Sequence, residues 1–334
     1  MAIIIFEDSE NIPILPGDYP QRLDFYADLS FAKYTQFSYT YTNISKIRLR
    51  RVDMNYHQEP CIYVENLELK IHDIERSLDF YRSVIGFRVL ERDRKRAVLT
   101  ADGKTPLLTL VEPEGVCPKE PHRTGLYHFA LLLPRRSDLA DFLNHLLERN
   151  VRIGASDHHV SEAIYLQDPD DNGIEVYTDR DDADWVWKKN EVIMTTDPLD
   201  ARDLLKTGTE EGWSGLPAGT IMGHIHLHVG DLAMAEKFYC GGLGFEVAAW
   251  YGSQALFISS GGYHHHIGLN VWNGRNIPAA LPQSTGLKVY TIVYPGTKER
   301  EDAILRLKGL GADVRKLDDV YEVIDPFGMT IHLR

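Results

Sequence analysis

Apolar and polar positions along this chain fall into a repeating order: an alternating stretch, a stretch of helical spacing, a glycine stop, then further alternating stretches. In the first unit, Leu67-Glu68-Leu69-Lys70-Ile71 alternates with period two. Ser77-Leu78-Asp79-Phe80-Tyr81 follows at helical spacing, and Ile85-Gly86-Phe87 closes it. The third unit repeats this nearly position for position, as His224-Ile225-His226-Leu227-His228, then Ala235-Glu236-Lys237-Phe238-Tyr239, then Leu243-Gly244-Phe245. The carboxylates of Asp73 and Asp231 are placed to accept hydrogen bonds from the first amides of the helix that follows. Gly86 and Gly244 stand where a helix must stop and turn back.

The second unit opens on Leu126-Tyr127-His128-Phe129-Ala130, carries a helix from Asp138 to Arg149, and ends with an Asp168-Pro169 turn before the strand Ile174-Glu175-Val176-Tyr177. The fourth opens on Gly286-Leu287-Lys288-Val289-Tyr290, carries a helix from Glu299 to Leu310, and ends with an Asp325-Pro326 turn before Thr330-Ile331-His332-Leu333. The chain therefore reads as an N-terminal extension (1–60), a first domain 61–179 (modules 61–113 and 125–179), a linker 180–221, and a second domain 222–334 (modules 222–273 and 285–334). Residues 1–53 match no unit and are read as dispensable for the fold. The linker holds Trp185, Trp187 and a helix-like stretch over Leu199–Lys206; connections this long serve function or bridge domains.

A βαβββ unit buries one face of its sheet only by pairing with another unit, and the pair curls into an open bowl. The expected fold class is α+β: four βαβββ modules forming two open, bowl-like eight-stranded mixed sheets. The 334 residues, 43% of them apolar, suffice for two such cores. A formal net charge of −13 makes nucleic acid an electrostatic mismatch. Cys61, Cys117 and Cys240 are far apart and odd in number, which argues against a disulfide framework or zinc ribbon and for a reducing, cytoplasmic setting. No apolar run reaches the roughly 18 residues of a membrane helix, and no membrane partner is expected. The apolar start meets Glu7 and Asp8 too soon for a secretory signal.

The 14 histidines are unevenly placed. A strand histidine taken alone is more often a satisfied core residue, and a lone closing-strand carboxylate is more often solvated. The combination changes that reading. The first and last strands of paired units line the bowl centre. His128 and Glu175 occupy those places in unit two, and His224 occupies the first place in unit three. Two imidazoles and one carboxylate at one point form a facial triad that leaves positions open on an Fe(II) ion. A structural zinc would want four closed ligands.

At this point the sequence resembles the vicinal oxygen chelate (glyoxalase/bleomycin resistance/extradiol dioxygenase) superfamily. Within it, the chain is similar to the two-domain extradiol dioxygenases of the catechol 2,3-dioxygenase type. The resemblance covers residues 61–334. It is carried by Ser156-Asp157-His158, five residues, Ile164-Tyr165, Leu166-Gln167, Asp168-Pro169-Asp170-Asp171, three residues, then Glu175. Ser156 and Asp171 depart from the family's usual glycines at what read as turn positions. The resemblance implies that His128, His224 and Glu175 bind Fe(II), with Mn(II) accepting the same ligands. It further implies that Tyr165 and His158 hydrogen-bond the substrate, and that His265, with His266 in reserve, is the acid–base residue. The implied substrates are a small aromatic diol and dioxygen, the implied reaction is extradiol ring cleavage in aromatic catabolism, and bowl edges leave room for a homo-oligomer. The alternatives are another chelate-superfamily metalloenzyme, such as a glyoxalase-like isomerase or thiol transferase, or a non-catalytic small-molecule-binding bowl. Gly268 stands where such an isomerase would carry a second carboxylate. Trp250, Tyr251 and Trp272 are read as core aromatics before substrate contacts.

In this chain, Val289 stands where unit four would supply a ligand histidine, His332 where it would supply the glutamate, and Asn66 where unit one would supply a histidine. Only units two and three together hold a triad. They are therefore expected to share one bowl, leaving units one and four to form a metal-free one.

Overall fold

The computed structural model describes the backbone of Ile3–Ile4 and residues 55–334. The reading of 1–53 as dispensable lies outside these residues, apart from Ile3–Ile4. Strand β1 (Ile3–Ile4) pairs with residues 153–154. Module one follows as β2 (Tyr63–Lys70), α1 (Ile74–Phe80), β3 (Arg88–Arg92), β4 (Arg96–Thr100) and β5 (Leu108–Val111). Module two is β6 (Gly125–Leu132), α2 (Arg136–Glu148), β7 (Ile153–Asp157), β8 (Ser161–Gln167) and β9 (Gly173–Asp179). The linker forms a small hairpin of β10 (Trp187–Lys188) and β11 (Glu191–Val192), and a short helix α3 (Ala201–Leu205). Module three is β12 (Ile221–His228), α4 (Leu232–Phe238), β13 (Glu246–Tyr251), β14 (Ala255–Ser259) and β15 (Ile267–Asn270). Module four is β16 (Gly286–Val293), α5 (Thr297–Gly309), β17 (Val314–Leu317), β18 (Val320–Ile324) and β19 (Thr330–Leu333).

The sheet order joins the modules as the ligand distribution implies. One sheet runs β1-β7-β8-β9-β6-β12-β15-β14-β13, the other β17-β18-β19-β16-β2-β5-β4-β3. Modules two and three share the first, modules one and four the second. At the centre of each, two first strands meet antiparallel, β6 with β12 and β2 with β16. Each is flanked by a parallel closing strand, as β9 flanks β6. The two-residue period sorts side chains between faces. Phe129, Leu131, Ile225 and Leu227 enter the main core with the helices, while Ala130, Ala163 and Tyr177 line the other face.

Local chemistry follows the sequence closely. Asp73 accepts from the Arg76 amide and Asp231 from the Met234 amide, each capping its helix. Each helix then widens into a π-helical turn, 81–85 or 239–243, ended by Gly86 (φ 92°) or Gly244 (φ 97°) in the left-handed region that glycine adopts without strain. Module helices and Asp-Pro turns are tied in a matching way. Tyr81 donates to Asp168 Oδ2 at 2.8 Å, and Tyr239 donates to Asp325 Oδ2 at 2.8 Å. Both aspartates are buried and also accept backbone amides of their own turns.

The two departures from the family's turn glycines resolve differently. Asp171 takes φ 60°, a left-handed conformation that aspartate tolerates better than most residues. Ser156 is not in a turn; it is a buried residue inside β7. The residues leading into module one, within the extension 1–60, are already packed. Tyr56 is buried against Trp185 and Tyr263, and His57 donates to the Gly223 carbonyl at 2.8 Å.

Candidate metal centre

The bowl centre of the first sheet is set by strand register. Ala130 on β6 lies beside Glu175 on β9 and beside His224 on β12, while His128 lies beside Gly173 and His226. The small Ala130 methyl at the crossing leaves the space into which the larger neighbours lean. His128, Glu175 and His224 offer ligand atoms that lie within 4.8 Å of one another, and all three are buried. His128 Nε2 is 3.0 Å and His224 Nε2 3.2 Å from Glu175 Oε2. Ligands about 2.1 Å from a metal and at right angles to each other stand about 3 Å apart, so these separations fit adjacent corners of one coordination octahedron.

The donor chemistry agrees. His128 Nε2 is buried yet makes no hydrogen bond, despite its closeness to the carboxylate. A buried imidazole nitrogen without a hydrogen-bond partner is open to a metal, and His224 Nε2 shares the same carboxylate oxygen at 3.2 Å. Burial works to raise the Glu175 carboxyl, but the His224 and His128 imidazoles prevail and hold it well below its ordinary value. Burial lowers His224, against the opposing pull of Glu175. The site thus offers an ionised carboxylate and an imidazole biased to its neutral form, the states a divalent cation binds. A Cβ on Gly173 would lie 2.1 Å from the Tyr127 carbonyl oxygen and 2.9 Å from His128 Cβ. Glycine there is what lets β9 approach β6 closely enough to deliver Glu175.

Tyr165 and His158 meet beside the triad. His158 Nε2 is 2.6 Å from the Tyr165 hydroxyl, and His158 Nδ1 is 2.6 Å from the Thr195 carbonyl. A carbonyl only accepts, so Nδ1 carries the proton and Nε2 faces the phenol. Burial, reinforced by Glu175, raises Tyr165 well above its ordinary value and keeps it a hydrogen-bond donor. His265 lies with its ring 4.1 Å from that of His224. His266 is turned elsewhere, accepting from the Ser260 amide and donating to the Tyr56 carbonyl. His128, Glu175, His224, Tyr165, His158 and His265 thus gather around one bowl centre, and the reserve His266 does not.

Other residues of the bowl carried no sequence signal. Tyr127 meets His226 and Trp272 edge to face and lies tilted against His128. A cavity of about 1080 Å³ is lined in part by Tyr127, His128, Tyr165 and His228. Trp185 from the linker packs on His264, and Asp179 at the end of β9 accepts from His264 and Tyr263. One expectation is reversed: Trp250, Tyr251 and Trp272 are not core aromatics, being 38%, 53% and 45% exposed. Trp250 and Tyr251 end β13 on the solvent side, while the part-exposed Trp272, just after β15, makes ring contacts with Tyr127 and His226.

Residues 65–176 match the family model of the glyoxalase/bleomycin resistance protein/dioxygenase superfamily. The chain is 47% identical over 262 residues to the catechol-2,3-dioxygenase of Bacillus subtilis (strain 168), covering 78% of this chain and 92% of that protein. Among solved structures, a Bacillus subtilis (subsp. subtilis, strain 168) protein carrying a dioxygenase designation aligns with a TM-score of 0.59 at 12% identity, over 81% of this chain and 84% of that one. Glyoxalase I from Zea mays aligns with a TM-score of 0.51 at 18% identity, over 81% of this chain and 92% of that one. At such identities the structural likeness speaks for the fold.

Proposed function

The chain belongs to the glyoxalase/bleomycin resistance/dioxygenase superfamily, as a relative of catechol-2,3-dioxygenase, and on that premise we propose that it opens a catechol-like ring at Fe(II) held by His128, His224 and Glu175. It is an extradiol dioxygenase. The observation that carries the site assignment is the convergence of those three buried ligands, from both modules of one bowl, with His128 Nε2 left without a hydrogen bond. Bound Fe(II) would supply a Lewis-acidic, redox-active centre with open positions at which a diol and dioxygen are held together.

The protein side chains do the rest. Glu175 would offset part of the metal's charge, and His128 and His224 would complete its protein ligands. His265, against His224, is placed to take a proton from a diol hydroxyl and return it later to the leaving oxygen. Tyr165, held protonated, donates toward charge developing on substrate oxygen, while His158 orients the phenol. The Thr195 carbonyl sets which His158 nitrogen faces the phenol. Burial of these groups excludes water that would compete for the same hydrogen bonds.

Anaerobic purification followed by metal analysis tests this reading, with catechol and oxygen then added and the yellow ring-opened product followed by absorbance. One iron per chain and a yellow product are expected. Ring cleavage that persists after the metal is removed by a chelator would overturn it.

A further inference from the structure

A chain of hydrogen bonds leads from the bowl centre to the solvent-facing end of β9. His265 Nδ1 is 2.8 Å from His264 Nδ1, and His264 Nε2 is 2.9 Å from Asp179 Oδ1. His264 is fully buried, while the Asp179 side chain is 23% exposed. Tyr263 donates to the other Asp179 oxygen at 3.0 Å and shares a 2.7 Å hydrogen bond with Tyr177. The carboxylate is thereby fixed from two sides.

The direction of each bond follows from what each atom can do. A carboxylate only accepts, so His264 Nε2 carries a proton. With that proton on Nε2, His264 Nδ1 is the nitrogen that accepts, from His265 Nδ1–H. That leaves His265 Nε2 as the nitrogen without a proton. The ring is held between His224, 4.1 Å away, and Phe257, 5.0 Å away, so it cannot turn freely to exchange its two nitrogens.

We propose that Asp179 and His264 are positioning residues that lock His265 in the Nδ1–H tautomer and so leave Nε2 as its unprotonated nitrogen. The proposal rests on the reading of His265 as the acid–base residue. In the step it serves, the diol O–H bond breaks, a bond forms from Nε2 to that proton, and the resulting imidazolium is stabilised by its Nδ1–H bond to His264. The Nε2–H bond later breaks as that proton passes to the leaving oxygen, which restores the neutral imidazole. His264 joins His265 to a carboxylate that need not enter the crowded bowl centre, where a second acid would compete for the metal.

The test uses the full chain labelled with ¹⁵N at histidine and loaded with Zn(II) as a diamagnetic stand-in. The His265 nitrogens are identified by their loss in His265→Gln. Nitrogen shifts and long-range proton couplings report the tautomer directly. The expected spectrum has His265 protonated on Nδ1, with the Nε2–H form appearing in Asp179→Asn. A His265 protonated on Nε2 in the unmutated protein overturns the proposal, and this readout needs no variant of the relay to fold. In the Fe(II)-loaded enzyme, Asp179→Asn is expected to lower kcat about a hundredfold with KM and iron content unchanged. An unchanged kcat overturns the positioning role. Unimpaired ring cleavage by His265→Gln would instead overturn the acid–base reading beneath it, and the two failures are told apart by which variant stays active.

Discussion

The two bowls of this protein share strand order, register and turns, yet among the described residues only the first gathers side chains that could hold a metal. His128, Glu175 and His224 in the first correspond by register to Val289, His332 and Asn66 in the second. The first three are buried and converge. The second three are half-buried, and His332 lies 3.6 Å from Glu322 instead of pointing to a shared centre. At the crossing, Ala130 corresponds to the larger, branched Thr291. Gly173 corresponds to Thr330, so the second bowl accepts a branched residue where the first tolerates no Cβ. The fold is a frame that permits a site without requiring one. What makes the site is three ligands plus two small residues that make room for them.

That comparison can be broken from either side. The largest effect is expected from His128→Ala, which should lose bound iron and ring cleavage together, while Val289→Ala or His332→Ala keeps both; metal analysis of the purified variants decides it. Next comes Gly173→Ala, which forces β9 off β6 and should reduce iron content sharply, with a melting temperature lowered by several degrees, roughly 2–4 °C for each kcal/mol lost. Its mirror, Thr330→Ala, should leave iron binding intact, and equal iron loss in both would show that the strand spacing is not what distinguishes the bowls. Tyr165→Phe should keep iron and lower kcat about a hundredfold, measured at saturating catechol.

The smallest effect concerns the paired Asp-Pro turns. Burial pushes Asp325 up to about 6, against the opposing pull of its hydrogen-bond donors. An unfolded aspartate titrates near 3.9, so between about pH 4 and pH 6 the native state holds a proton that the unfolded chain has released. The stability that this group contributes is full below that window and is lost as pH rises through it, up to about 3 kcal/mol. Asp325→Asn should therefore flatten the fall in melting temperature from pH 4.5 to 7, while leaving ring cleavage within about twofold; an identical pH profile for both proteins would refute it.

Much of this was legible in the sequence, for a physical reason. Strand period and turn chemistry are local, so the repeat, the caps at Asp73 and Asp231 and the Asp-Pro turns could be read from short windows. The convergence of His128, His224 and Glu175 could be expected because first and closing strands of the repeating unit line the bowl centre. The uneven distribution of ligands also foretold which modules share a sheet. The relay through Asp179 was not legible, since it joins residues 85 apart in the chain at the end of one strand and in a loop. The acceptor for His158 is a backbone carbonyl of Thr195, and no residue type announces a carbonyl. Ser156 read as a turn because a family habitually has glycine there, whereas the strand simply continues through it.

The cross-stitching of modules has a consequence for how the chain could be divided. Tyr81 of one sheet grips the Asp168 turn of the other, and Tyr239 does the same for Asp325. Sequence halves and sheets therefore do not coincide: a nick in the linker would leave His128 and Glu175 on one fragment and His224 on the other. Each bowl would then take one module from each fragment, so the two would have to reassociate through both sheets, and iron uptake would become a direct gauge of their reassembly.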